Sequence, residues 1–159
     1  MAQKLNPIYI SGLVNAIDSV FQSVSSHPAQ CQEPALVEQP EPPRDIAVLI
    51  GFVGDMAGQV EMSMDDTMGR QLASELLGGM EIAEVDELVV SAVGELGNMI
   101  MGSVCTQMSR TQIALDITPP MVLLGACRLG EKLSPPFYRI PVELKNLGTI
   151  AFSVLVQAV

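Results

Sequence analysis

Apolar residues recur at two periods along this chain, and the change of period marks its elements. Ile8, Leu13, Val14, Ile17, Val20 and Phe21 fall at helical spacing behind Asn6-Pro7, a capping side chain followed by proline at the first helical position. This predicts a helix from Pro7 to about Val24, ended by the break SSHPAQ. Residues 31–44, rich in proline and glutamate, read as a linker or at most an edge strand. The run Ile46 to Val53 is dense in apolar and β-branched residues, and Val60, Met62 and Met64 then alternate with polar neighbours. Together they predict a hairpin with its first strand buried. Asp65 or Asp66 caps a helix through Leu77, with Met68, Leu72 and Leu76 on one face and Gly78-Gly79 as its stop. A longer helix is expected from Glu84 or Val85 to about Met108. Ile113 to Ile117, Met121 to Cys127, Phe137 to Leu144 and Thr149 to Val156 are strand candidates. Thr118-Pro119-Pro120 stops the first of them, and Asn146-Leu147-Gly148 is a turn between the last two.

This order has the look of a duplication. The first helix carries Ser11, Asn15 and Asp18 at the same i, i+4, i+7 spacing as Ser91, Glu95 and Asn98 on the long helix. An α+β domain with two long helices packed on one antiparallel sheet, related by a pseudo-twofold internal duplication, accounts for both the repeat and the apolar faces. At 159 residues, a single domain spanning 1–159 is the simplest organisation.

The long helix has two contrasting sides. Val89, Val93, Leu96 and Ile100 make a continuous apolar face, while Ser91, Glu95 and Asn98 lie within about 60° of one another on the other side. Gly94 and Gly102 flank the Glu95/Asn98 pair, and Gly97 sits toward the edge of the core face. A glycine inside a helix costs roughly 1 kcal/mol relative to alanine, so three so close together break a local rule. Either the missing side chains let another surface approach a carboxylate and a carboxamide, or the stripe is simply solvated and the glycines serve close helix packing.

Composition narrows the function. A net charge of −10 with only 8 lysines and arginines repels phosphate backbones and anionic lipid, so neither nucleic acid nor a membrane is an expected partner. Tryptophan is absent and aromatic residues make up 4%, which removes stacking platforms. Ten methionines suit an adaptable core. Cys31, Cys105 and Cys127 form no CxxC pair and read as free, largely buried thiols in a reducing compartment. His27, without ligand-type neighbours in sequence, reads as a solvated loop residue. The glycines of GFVGDMAG are not followed by Gly-Lys-Ser/Thr, so they mark a hairpin turn and not a phosphate loop. No signal peptide is visible and no apolar run approaches the ~18 residues of a membrane span, so a cytoplasmic location is expected.

With Ser91 before it, glycines around it and a proline after it, the Glu95-x-x-Asn98 pair resembles the CheC/CheX/FliY family of phosphatases acting on chemotaxis response regulators, in particular its CheX-like members. The segments IGFVGDMAGQVEMSM, ELGNMIMGSV and DITPPMVLLG are similar to family segments in the same order, so the resemblance spans most of the chain. Pro120 is the closer match to the family proline, although it follows Asn98 one residue sooner than usual. The resemblance implies the CheC-like fold and hydrolysis of the aspartyl phosphate of a phosphorylated CheY-like response regulator. Glu95 and Asn98 would be the catalytic pair, with Asn98 holding the attacking water and Glu95 docking the partner. Ser91, Gly94, Gly102 and Pro120 would belong to the partner-binding surface. No cofactor or metal is expected on this chain; Mg²⁺ is expected on the partner response regulator. Because Asn15 and Asp18 do not repeat the Glu/Asn pair, one active surface is implied. A homodimer is expected, with the apolar C-terminal strand offering a sheet edge. The competing reading is a non-catalytic adaptor of the same fold that binds the regulator without turning it over. A scaffold component is a third, disfavoured by the lack of long flanking segments.

Overall fold

The computed structural model describes residues 6–39, 42, 44–125 and 137–157. Their elements run α1 (Pro7–Val24), β1 (Ala29–Cys31), β2 (Ala35–Val37), β3 (Ile46–Gly54), β4 (Ala57–Met64), α2 (Asp66–Leu76), α3 (Glu87–Ser109), β5 (Leu115–Ile117), β6 (Met121–Leu124), β7 (Phe137–Leu144) and β8 (Gly148–Gln157). Each helix begins where a side chain can satisfy its first free N–H groups. Asn6 accepts from the Ile8 N–H at 3.1 Å, and Asp65 from the Met68 N–H at 2.8 Å. Asp86 accepts from both Leu88 and Val89, at 3.0 and 3.2 Å. That double cap places the start of α3 at Glu87, later than its apolar periodicity alone suggests. The expected strand Met121 to Cys127 ends at Leu124, and its last two positions lie outside the described residues.

Eight strands form one antiparallel sheet in the order β1-β7-β8-β4-β3-β5, with β2 also on β7 and β6 also on β3. The duplication is therefore explicit: a helix, two short edge strands and a hairpin occur twice, with α2 following the first copy. β1 and β2 lie end to end along β7, as β5 and β6 lie along β3. The two halves meet at the β4–β8 pairing, where Val60 faces Val154. Burial repeats as well. Gly12, Leu13, Ala16, Ile17, Val20 and Phe21 on α1 correspond, 80 positions on, to Ala92, Val93, Leu96, Gly97, Ile100 and Met101 on α3.

β8 is flanked by β7 and β4 on its two sides, so the C-terminal strand is central and offers no free edge. The edges are the short strands β1, β2, β5 and β6. Alternation along the four long strands points Ile46, Val48, Ile50, Val60, Met62, Ile140, Val142, Ile150, Phe152 and Val154 to the side occupied by the helices, where they form one core with Leu13, Ile17, Phe21, Leu72, Val93, Leu96 and Ile100. By length and composition α3 is apolar enough to cross a bilayer despite Glu95, yet half of its most apolar window is buried inside the domain. It is the central helix of this core, and its outer side is set by what it packs against.

Candidate functional site

α3 is fixed from beneath by close contact with β3. A Cβ on Gly97 would lie 3.0 Å from Val48 Cγ1 and 3.2 Å from Ile50 Cδ1, so this glycine brings helix and sheet together. The opposite side carries the stripe. Ser91 and Glu95 are exposed and Asn98 is half-buried. Among the described residues neither Glu95 nor Asn98 has a side-chain hydrogen bond or ion pair. A carboxylate and a carboxamide thus stand about one turn apart on a rigid element with their bonding capacity unspent.

Gly94 differs from expectation. It is buried, and a Cβ there would lie 3.4 Å from Val122 Cγ2 and 3.7 Å from Pro120 Cγ. What lies beside it, at ordinary van der Waals distance, is this chain's own β6 and the proline before it. Gly102 is the open one, with nothing within 4 Å of its missing Cβ. Pro120 is half-buried beside Gly94 and forms a wall along the stripe.

The position of that wall depends on Thr118. Its N–H donates to the Gly51 carbonyl at 2.9 Å, and its Oγ1 accepts from the Gly51 N–H at 2.9 Å. The two-proline corner is thereby pinned to β3 in the gap between β5 and β6, where prolines cannot donate to the ladder. Nothing in the local sequence distinguishes this threonine, because its partner lies 67 residues away.

His27 is not a solvated loop residue. Its Nδ1 is 2.9 Å from the Lys145 carbonyl oxygen and its Nε2 is 3.2 Å from Glu75 Oε1, so it ties the α1–β1 loop to α2 and to the β7–β8 turn. Glu75 also accepts from the Ser26 N–H at 3.3 Å and from the Ser26 hydroxyl at 3.1 Å. Burial on its own raises the Glu75 pKa, but hydrogen bonds from Ser25, Ser26 and Gln71, together with the neighbouring His27, hold it below the ordinary carboxylate value. Cys31 and Cys105 are free thiols. Burial, with Asp18 adding to it, pushes Cys31 up to about 11, and burial with Asp116 raises Cys105, so neither is an activated nucleophile. Cys127 lies outside the described residues.

An apolar cavity of about 30 Å³ opens between α1, α3 and the sheet, lined among others by Leu13, Phe52, Met101 and Val104, without contribution from Glu95 or Asn98. No group of three or more histidine, cysteine, aspartate or glutamate side chains among the described residues is placed to hold a metal ion. The stripe lies on the outer side of α3, apart from that cavity.

The chemotaxis phosphatase CheX family model matches residues 46–143, which include the β3–β4 hairpin and all of α3. The CheY-P phosphatase CheX of Thermotoga maritima is 30% identical over 116 residues, covering 73% of this chain and 75% of that protein. In fold, the chain is similar to a CheC-like superfamily protein from Shewanella sp. PV-4, with a TM-score of 0.85 at 22% identity over 97% of this chain and 100% of that one. It is also similar to a chain in the crystal structure of the CheX-CheY-BeF3-Mg²⁺ complex from Borrelia burgdorferi, with a TM-score of 0.77 at 22% identity over 94% of this chain and 98% of that one. The twofold α+β frame, the Glu95/Asn98 stripe and a family match across 46–143 agree, and the chain belongs to the CheX family of chemotaxis phosphatases.

Proposed function

We propose that this protein removes the phosphoryl group from the aspartyl phosphate of a CheY-like response regulator. One observation carries the reading: Glu95 and Asn98, without a side-chain partner among the described residues, project from the outer side of a helix whose inner side is locked into the core. The relative named as a CheY-P phosphatase supports it, and so does the solved CheX-CheY-BeF3-Mg²⁺ complex.

In this reading Asn98 orients the nucleophile. A carboxamide both accepts from and donates to water without ionising, so it can hold a water in line with the phosphorus. The water oxygen bonds to phosphorus, the bond between phosphorus and the aspartyl oxygen breaks, and the carboxylate stays on the regulator. The water's proton leaves with inorganic phosphate or to solvent. Glu95 pairs with a cationic side chain of the regulator and sets the docking register, a charge-assisted contact. Gly102 leaves room for the approach, and Pro120 with Gly94 shapes the flank. Mg²⁺, which stabilises charge on the phosphoryl oxygens, belongs to the regulator in this scheme. A homodimer is part of the same reading, and the short edge strands are the available sheet edges; sedimentation velocity tests it.

The deciding experiment follows decay of a phosphorylated cognate regulator with and without this protein. Acceleration by the wild type, lost in Asn98→Ala, is expected. Equal decay with wild type and with no added protein, or full activity in Asn98→Ala, rejects the assignment.

A further inference from the structure

The duplication lets one half of the molecule serve as a control for the other. In both halves two short edge strands run along a long strand with one extra residue between them. Between the pairs Phe52–Ile117 and Leu49–Met121, β3 contributes residues 50 and 51 and the edge contributes 118–120. Between Cys31–Val142 and Ala35–Arg139, β7 contributes 140 and 141 and the edge contributes 32–34. Each is a one-residue bulge, a device that bends an edge and re-aims its side chains. Each keeps one backbone bond, from the Thr118 N–H to the Gly51 carbonyl at 2.9 Å and from the Gln32 N–H to the Pro141 carbonyl at 2.8 Å. Pro34 enters β2 as Pro120 enters β6.

Beyond this the halves part. Thr118 Oγ1 also accepts from the Gly51 N–H at 2.9 Å, whereas Pro141, in the corresponding place, has no N–H to give. Gly51 leaves room for that bond, since a Cβ there would lie 3.2 Å from Thr118 Cγ2 and 3.3 Å from Thr118 Oγ1. The helices differ in step with the bulges. Where α3 has Gly94, Glu95 and Asn98, α1 has Val14, Asn15 and Asp18. The second bond, the glycine and the Glu/Asn pair thus occur together in one half and are absent from the other. Gly94 and Asn98 are four apart and adjoin on one side of α3, so Pro120, resting at Gly94, borders the Asn98 side of the stripe. In keeping with this, Asn98 is half-buried while Ser91 and Glu95 are exposed.

Resting on the response-regulator reading above, we infer that Thr118 is a positioning residue for the step in which Asn98 holds the attacking water. Its two bonds to Gly51 set the bulge, and the bulge holds Pro120 against α3. Pro120 in turn limits the space in which the Asn98 carboxamide and its water settle. Thr118 acts through Pro120 alone, and Glu95, on the open side, docks the regulator independently of it.

The test is steady-state phosphate release from the phosphorylated regulator, with affinity measured separately on the regulator carrying beryllofluoride. Thr118→Val keeps the shape of the side chain and loses the acceptor, whereas Thr118→Ser keeps the hydroxyl. Thr118 is exposed, so neither change opens the core. Thr118→Val is expected to lower kcat about tenfold with affinity within about twofold, and Thr118→Ser to retain the wild-type kcat. Gln32→Ala, in the corresponding bulge, should change neither. Pro120→Ala should repeat the loss, and adding Thr118→Val to it should lower kcat no further, because both act through one wall. The Asn98 side-chain amide resonances, assigned by their loss in Asn98→Ala, should shift in Thr118→Val and stay in place in Gln32→Ala. An unaltered kcat in Thr118→Val overturns the proposal even if its melting temperature falls. So does a loss that Thr118→Ser shares, that Gln32→Ala shares, or that adds to the loss in Pro120→Ala. The two readings fail separately. A wild type that binds the beryllofluoride-loaded regulator but releases no phosphate sinks the phosphatase reading, whereas Asn98 resonances unmoved by Thr118→Val sink the positioning role, with or without turnover.

Discussion

Pro120 lies against Gly94, with 3.7 Å between the proline Cγ and the position a Cβ would take on the glycine. The proline that leads into β6 thus lies on the helix at the turn just ahead of Glu95. Gly94→Val puts a branched side chain into the contact with Pro120 and Val122, and it should cost about 1–3 kcal/mol by overpacking. Thermal denaturation measures that cost.

Removing the carboxamide of Asn98 takes nothing from the core. Asn98→Ala is expected to keep the wild-type melting temperature and to lower kcat for phosphate release by about 100-fold, the scale of a lost orienting contact. Asn98→Asp keeps the shape but points negative charge at a phosphoryl group, so it should be no better than alanine. Retained activity in Asn98→Asp would show that shape alone suffices.

Gly97 and Gly102 make opposite predictions. Gly97→Val drives methyl groups into Val48 and Ile50 and should destabilise by about 1–3 kcal/mol. Gly102→Ala meets nothing within 4 Å and should stabilise the helix by up to about 1 kcal/mol. If a partner must approach there, the stabilised Gly102→Ala variant should also turn over phosphorylated regulator more slowly, and parallel melting and kinetic measurements separate the two effects.

The Glu75 cluster predicts acid sensitivity. The folded-state pKa of Glu75 lies below its ordinary value, so its contribution to stability is fully present above the ordinary carboxylate range. That contribution is lost as pH falls through the lowered value. Melting curves from about pH 6 to pH 3 should show the wild type losing its advantage over Glu75→Gln. A constant difference across that range would remove the argument.

Much of the site was legible because a single helix displays it. The 3.6-residue period sorts Val89, Val93, Leu96 and Ile100 from Ser91, Glu95 and Asn98 without reference to the rest of the chain. The caps Asn6 and Asp65 were equally local. What stayed hidden depends on distant partners. The local sequence does not show what covers Gly94, because the strand beside it arrives 28 positions later, at Val122. His27 looks solvated in the local sequence because its neighbours are Glu75 and the Lys145 carbonyl, 118 residues away in the second case. The central place of β8 was hidden for the same reason: an apolar strand at a sheet edge and one at its centre have the same alternation.

The placement of β8 also bears on how the molecule is assembled. Within the described sheet, β7 and the edge strands on it reach β3 and β4 only through β8. During synthesis the helix that carries Glu95 and Asn98, with β3 to β6, is complete before that connection exists. The short strands β1 and β2 must meanwhile wait for β7, and β7 for β8, while α1 covers its apolar side against α3. A chain ended just short of Gly148 would therefore keep every strand but the one that joins the two halves of its sheet.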